Sequence, residues 1–270
     1  MVGFGAVYKY KRMSQVPLPI SAVLIARNEA ERLPACLASL AGWVAEIVVV
    51  VIDCSDGTEE VARRFGARVG PHAWENFREQ KNAALAEGRS EWVLALDADE
   101  SVSPELRAAL VAFVAAPGDE VAASSSRLVT FLGRPIRHGD WYPDRGLRLV
   151  RKGRARWIGA HDHCKLVADG PVRRLAGDLL HDSFPTLASL VAKTNFHADN
   201  FVRTRRERGE GWGLAEALFR PGWRFFRSYV LRLGFLDGYS GLIVSVTIGY
   251  QTLIRYARIY EAEREGKKVP

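Results

Sequence analysis

Between Ile20 and Val114 the chain alternates short apolar runs with stretches of helical periodicity. Ile20–Ala26, Glu46–Ile52 and Glu91–Leu96 are rich in Val, Ile and Leu and lack polar/apolar alternation, the pattern of parallel strands buried on both faces. The stretches between them carry helix signals. Pro34 suits a first helical position, and Leu33, Leu37 and Leu40 fall on one face. Thr58–Phe65 is closed by Gly66 and Asn76–Glu87 by Gly88, while Ser103-Pro104 reads as an N-cap and N1 pair opening a helix through Val114. Repeated β-α-β units predict an α/β fold, a Rossmann-like, mostly parallel sheet with helices on both faces. Ligands in such sheets sit beyond the carboxyl ends of the strands. Further on, Val121–Leu132 and Leu147–Val150 read as strands, and Thr186–Arg208 as a helix that ends strongly basic.

Charge adds an asymmetry to this pattern. The 270 residues carry a formal net charge of +7, but residues 1–120 hold 12 basic and 17 acidic side chains, whereas residues 121–270 hold 26 and 14. The second half is therefore expected to meet something anionic. Nucleic acid is not the expected partner, since no nucleic-acid-binding motif accompanies the charge. Three scattered cysteines without a CxxC spacing exclude a disulfide framework and a zinc ribbon, and favour a reducing compartment. No apolar leader interrupts the basic start of the chain, so a cytosolic location is expected.

The strongest chemical signal is Trp92-Val-Leu-Ala-Leu-Asp97-Ala-Asp99-Glu100, where an apolar strand ends in three carboxylates. Asp97 and Asp99 can place one carboxylate on a divalent cation such as Mg²⁺ or Mn²⁺ and the other near a ribose or a metal-bound water. Glu100 also suits the acidic entry to the Ser103 helix. The first strand ends in Arg27-Asn28-Glu29 and the second in Asp53, on the same rim. Asp53 and Glu29 can accept hydrogen bonds from a nucleobase or ribose; Asn28 suits a polar loop equally well. Lys81 or Arg78, on the helix passing that rim, can neutralise a diphosphate. No GxGxxG follows the first strand, which disfavours a dinucleotide oxidoreductase.

The run from Ile20 to Pro104 resembles family 2 glycosyltransferases of the GT-A type. The likeness continues through Gly133-Arg-Pro-Ile-Arg-His138-Gly-Asp-Trp141-Tyr142-Pro143-Asp144, Gly170-Pro171-Val172, Gly177-Asp-Leu-Leu-His181, Arg220-Pro-Gly-Trp223-Arg224 and Gly234-Phe-Leu-Asp237-Gly238. This fuller pattern looks like the bacterial lipopolysaccharide core β-glucosyltransferases. The resemblance implies a nucleotide-diphosphate sugar donor, a divalent metal and inversion at the anomeric carbon. By position it implies that Ala26, Glu29 and Asp53 hold the nucleoside, Lys81 the diphosphate, and Asp97 with Asp99 the ribose and metal. The loop after Asp53 is shorter than the family's. The family's Val-His-Glu is replaced by His161-Asp162-His163-Cys164, where the register is open by two residues. Asp162 is the expected base for the acceptor hydroxyl, with Asp140 and Asp144 as alternatives.

The tail is basic and aromatic: residues 201–232 hold eight arginines against three acids. Gly238–Ile254 then runs without a charge, but at ~1.5 Å per residue it spans roughly 25 Å, less than a ~30 Å hydrocarbon core. It is expected to lie in a membrane interface or be buried in a partner, the other reading being a helix packed on the catalytic domain. The expected organisation is a basic tail (1–17), a GT-A domain (18–200, with a nucleotide-sugar half 18–120 and an acceptor half 121–200), and a helical membrane-associating extension (201–270). The expected activity is hexose transfer to a lipid-linked saccharide at the inner face of the cytoplasmic membrane, beside an anionic lipid surface. Alternatives are sugar transfer to a polyprenyl phosphate and a non-catalytic nucleotide-sugar-binding scaffold.

Overall fold

The computed structural model describes residues 16–159 and 164–264. Strands β1 (Leu18–Ala26), β2 (Val44–Val51), β3 (Arg68–Pro71) and β4 (Trp92–Asp97) form the parallel part of a mixed sheet. The remaining members are β5 (Glu100–Val102), β6 (Ala122–Phe131), β7 (Arg134–Pro135), β8 (Asp144–Arg151) and β11 (Val172–Phe184). Their order is β3-β2-β1-β4-β8-β6-β11-β5, with β7 paired to β6. β8 runs antiparallel between β4 and β6, so β6 and β11, which pair in parallel, point the same way as β1 and β4. Their carboxyl ends therefore share one rim. A separate hairpin joins β9 (Ala155–Ile158) to β10 (Lys165–Ala168).

The missing alternation in the apolar runs has a direct cause. Ile20, Ala22 and Leu24 of β1 and Val49 and Val51 of β2 face one layer, with Leu33, Leu37 and Leu40 of α1 (Leu33–Leu40), Ala62 of α2 (Thr58–Arg64) and Leu106, Leu110 and Phe113 of α4 (Pro104–Ala115). The intervening Val23, Val48 and Val50 face the other layer, with Ala84 of α3 (Phe77–Glu87), Trp157 of β9 and Leu166 of β10. Both faces are covered, so both residue sets are apolar. Ser103 caps α4 as expected, accepting from Leu106 N at 3.1 Å, and Asn76 caps α3, accepting from Glu79 N at 3.1 Å.

Sequence periodicity did not predict β3, β5 or β11. β11 is interrupted at Gly177, where φ is +81° and a Cβ would collide with the backbone of Glu105 and Leu106 at the start of α4. Only glycine permits that approach, and the register between β11 and β6 shifts between Arg174 and Asp178.

The expected boundary at residue 200 falls inside α5 (Leu187–Glu207), a continuous helix opened by a Thr186/Ser189 capping box. Beyond it lie α6 (Leu214–Phe226) and α7 (Gly238–Arg264), joined by turns. The uncharged run in α7 packs on the domain: Val244 and Ile248 sit with Phe131, Ile136 and Leu190, and Tyr256 and Ile259 sit with Val202. One face of the run is therefore covered by the domain, while Tyr239, Val246, Tyr250 and Leu253 of α7 stand exposed. Among the described residues no single helix is long and apolar enough to cross a membrane, although α6 with its turn and α7 qualify by composition as a pair bent by 71°.

Candidate functional site

The loops leaving β1 and β2 lock together at the rim. Asn28 Oδ1 accepts from Ser55 N (2.9 Å), Thr58 Oγ1 accepts from Glu29 N (2.8 Å), and Asp56 accepts from Ala30 N (3.0 Å). Asn28 and Asp53 both take positive φ, which these short polar residues tolerate better than most. Asn28 thus braces the loop. One strand over, Asp97 lies in register with Ile25, so the end of β4 stands beside this brace. Between them opens a cavity of about 520 Å³ whose walls include Ala26, Glu29, Lys81, Asp97, Asp99, Arg127 and His181. A second cavity of about 570 Å³, lined by Arg148, Asp144 and Trp157, shares Lys81, Asp97, Arg127 and Cys164 with the first.

Alternating charges build the floor. Lys81 Nζ lies 2.6 Å from Asp97 Oδ1, and Arg148 Nη2 bridges Asp97 Oδ2 (3.4 Å) and Glu100 Oε1 (2.6 Å). Glu100 is fully buried and its other oxygen accepts from Asp97 N at 3.0 Å, so it fixes the backbone that aims Asp97. Arg127 pairs with Asp144 and reaches Glu100 at 3.5 Å. Burial alone would raise the carboxyl of Asp97; Lys81 and Arg148 outweigh it and hold the group well below the usual carboxylate range. Asp99 is also held low: against burial, His181 lies 3.3 Å away. Burial raises Glu29 despite Arg32 at 3.1 Å. Lys81 and its neighbour divide the work on α3. Lys81 faces Asp97, while Asn82 makes two hydrogen bonds to the Trp157 backbone (2.8 and 3.2 Å), pinning β9 beside the cavity.

A cavity lined by cations and paired carboxylates at the carboxyl rim of a parallel sheet suits an anionic nucleotide ligand. The glycosyl transferase family 2 model matches residues 21–175, which carry nearly all of this construction. The chain belongs to that family. It is a glycosyltransferase of α/β, GT-A architecture. It is 28% identical over 251 residues to the lipopolysaccharide core biosynthesis glycosyltransferase LpsC of Rhizobium meliloti, covering 90% of this chain and 93% of that one. It is 26% identical to an uncharacterized glycosyltransferase of Rickettsia felis over 93% of this chain and 92% of the relative. Among solved structures, S. aureus TarS 1–349 superposes with a TM-score of 0.46 at 13% identity, covering 93% of each chain.

Of the residues expected to form the glycosyltransferase site, Ala26, Glu29, Lys81, Asp97 and Asp99 line one cavity. Asp53 is exposed at the rim beside Ile52, which does line it. Arg78 turns away to Glu79 and the Gly159 carbonyl. Asp162 lies outside the described residues; Cys164, two positions on, lines both cavities. Of the alternative bases, Asp140 is buried and ion-paired to three arginines, which removes it from that role, while Asp144 lines the second cavity against Arg127.

Periodicity gave no role to Arg127, Arg148 or His181. Arg127 and Arg148 stand in strands already mixed in polarity, so no local pattern singles them out; their partners, Glu100, Asp97 and Asp144, do. His181 is set by register: β11 places it opposite Glu100 of β5. Trp74 and Phe77, edge to face at 5.0 Å, and Phe196 of α5 complete the cavity mouth.

Among the described residues no group of three or more His, Cys, Asp or Glu is arranged to hold a metal alone. A carboxylate and an imidazole 3.3 Å apart, Asp99 and His181, nonetheless fit a divalent ion that takes its remaining ligands from substrate phosphates and water. Asp97 is expected as a metal ligand too, but both its oxygens are engaged by Lys81 and Arg148. This arrangement suits a role facing the ribose or a metal-bound water.

Proposed function

We propose that the protein is an inverting, metal-dependent hexosyltransferase that uses a nucleotide-diphosphate sugar, glucose-like by family expectation, and a lipid-linked saccharide of the lipopolysaccharide-core kind. The observation that carries this reading is the single cavity in which the Lys81–Asp97 and Asp99–His181 pairs meet at the ends of β1, β4 and β11. Its size suits a nucleotide ligand, and Trp74 with Phe77 offers aromatic faces at its mouth. The relation to LpsC supports the saccharide class. The basic second half and the exposed apolar side chains of α6 support action at the cytosolic face of a membrane.

In the reaction, the acceptor hydroxyl oxygen attacks the anomeric carbon as the bond from that carbon to the diphosphate oxygen breaks. The electron pair leaves with the nucleoside diphosphate, whose charge Lys81 is placed to neutralise. The hydroxyl proton passes to a carboxylate on the acceptor side, for which Asp162 is the expected residue. A divalent ion held by Asp99 and His181 would supply further charge neutralisation for the leaving diphosphate. Glu100 and Arg148 keep Asp97 aimed.

A panel of nucleotide sugars incubated with the full chain and Mn²⁺ or Mg²⁺ tests the reading. Slow, metal-dependent release of one nucleoside diphosphate, increased by a lipid-linked saccharide and reduced at least tenfold in Asp162→Asn, is expected for a positioned base, which contributes roughly 10²–10⁴-fold. No release and no nucleotide binding across the panel would overturn it.

A further inference from the structure

Asp140 sits on the short helical turn Gly139–Trp141 after β7, outside the donor cavity. Its side chain is 3% exposed, and three arginines of the helical extension converge on it. Arg227 approaches through Nε at 3.2 Å and Nη2 at 2.6 Å, Arg224 Nη2 lies at 3.2 Å and Arg232 Nε at 3.4 Å. One carboxylate neutralises one guanidinium, so the cluster keeps two positive charges in close quarters. Arg224 Nε is buried without a hydrogen-bond partner. Burial lowers the Arg224 pKa, and Arg227 and Arg232 push it the same way against Asp140. The cluster thus holds three guanidinium groups against the one carboxylate of Asp140.

The framework around it is rigid. Asp237 accepts from Arg137 N (3.0 Å), His138 N (2.8 Å) and His138 Nδ1 (2.9 Å), tying the turn before α7 to the segment after β7. Gly241 of α7 packs so closely on the Gly234 carbonyl that a Cβ there would overlap it. These contacts hold the three arginines at fixed positions.

What surrounds the cluster is apolar and uncovered. Phe219, Trp223, Phe226 and Val230 repeat at helical spacing and are all exposed, with Arg220, Arg224 and Arg227 one position further round. No residue of α6 is buried, and Pro221 lies inside it. A thirteen-residue helix with an internal proline does not hold in water by propensity alone. It packs on α7 through one side, and its outward side, apolar with arginines beside it, suits a cover that is apolar and anionic together. Trp141, next to Asp140, packs on Phe131 and Phe184 at the ends of β6 and β11, so the cluster shares the rim that carries the donor cavity.

We propose that Arg224, Arg227 and Arg232, gathered on Asp140, bind the phosphate of an anionic lipid headgroup, with Trp223 and Phe226 seated in the acyl layer beside it. This rests on the membrane-face reading above and adds the docking site. Occupying it turns the donor rim toward the bilayer, where a lipid-linked acceptor is presented.

The test is flotation of the full chain with vesicles of phosphatidylcholine alone and of phosphatidylcholine with phosphatidylglycerol. Arg224→Gln/Arg232→Gln removes two cations and leaves Arg227 to hold Asp140. Arg63→Gln/Arg64→Gln on α2 removes the same charge elsewhere, and Trp223→Ala/Phe226→Ala removes the apolar contact without touching the core. The expected result is binding to the anionic vesicles only. It falls about fivefold per cluster arginine, from a contribution of about 1 kcal/mol each, falls also in the Trp/Phe variant, and is unchanged in the α2 control. Equal loss in the α2 control, or none in the cluster variant, would overturn the site while leaving membrane binding intact. Displacement by inorganic phosphate at unchanged ionic strength would assign the cluster to a soluble anion and overturn the lipid. Failure of the wild-type chain to float would overturn the membrane reading and the site together.

Discussion

Replacing Arg148 by methionine isolates the part of the site that is most costly to assemble. Arg148 bridges Asp97 and the fully buried Glu100, and its removal leaves Glu100 with Arg127 at 3.5 Å as its remaining cation. Removing one partner of a buried, hydrogen-bonded ion pair costs about 3–5 kcal/mol. The retained Arg127 contact puts Arg148→Met near the lower end, about 3 kcal/mol. For a domain of this size that lowers Tm by about 6–12 °C. Adding Glu100→Gln removes the stranded charge, so the double variant is expected to melt above Arg148→Met. Scanning calorimetry of the three proteins reads both effects. A Tm loss under 2 °C, or a double variant whose losses simply add, would refute the claim that Glu100 and Arg148 form one buried unit.

Three further outcomes follow from the same geometry. Trp74→Ala or Phe77→Ala is expected to weaken nucleoside diphosphate binding by calorimetry, since a stacked base is worth about 1–3 kcal/mol; an unchanged affinity would remove them from the base site. His181→Gln is expected to weaken Mn²⁺ more than Mg²⁺ in metal-supported nucleotide binding, because imidazole favours the softer ion; equal loss of both would argue that His181 only orients Asp99. Gly177→Ala is expected to cost about 2–5 kcal/mol from a strained left-handed backbone and a clash with the start of α4; a Tm within 2 °C of wild type would contradict that packing.

The legible parts of the sequence are those whose physics is local. Capping at Ser103, a proline in the first turn of α1 and the doubly buried strands β1, β2 and β4 follow from neighbours in sequence. So does the convergence of Glu29, Lys81, Asp97 and Asp99, because strand ends of parallel units share a rim. β11 escaped because its thirteen residues mix charges with apolar positions and its pairing is set by β6, roughly fifty residues away. His181 and Arg148 become site residues only through that long-range register. In α7, composition suggested a lipid-facing run, yet the face bearing Val244 and Ile248 covers Phe131 and Ile136, and only the other side, with Tyr239, Val246, Tyr250 and Leu253, is exposed, as is the apolar stripe of α6. The apolar content of a helix does not reveal which of its faces is buried, or against what.

In the proposed mechanism Asp99, with His181, holds a divalent ion against a nucleoside diphosphate neutralised by Lys81. Calorimetric titration of nucleoside diphosphates, with and without Mn²⁺, into the wild-type chain and Asp99→Asn tests it most directly. Tight binding is expected to wild type only with Mn²⁺, and weak, metal-independent binding to Asp99→Asn. Equal, metal-independent affinity in both proteins would contradict it.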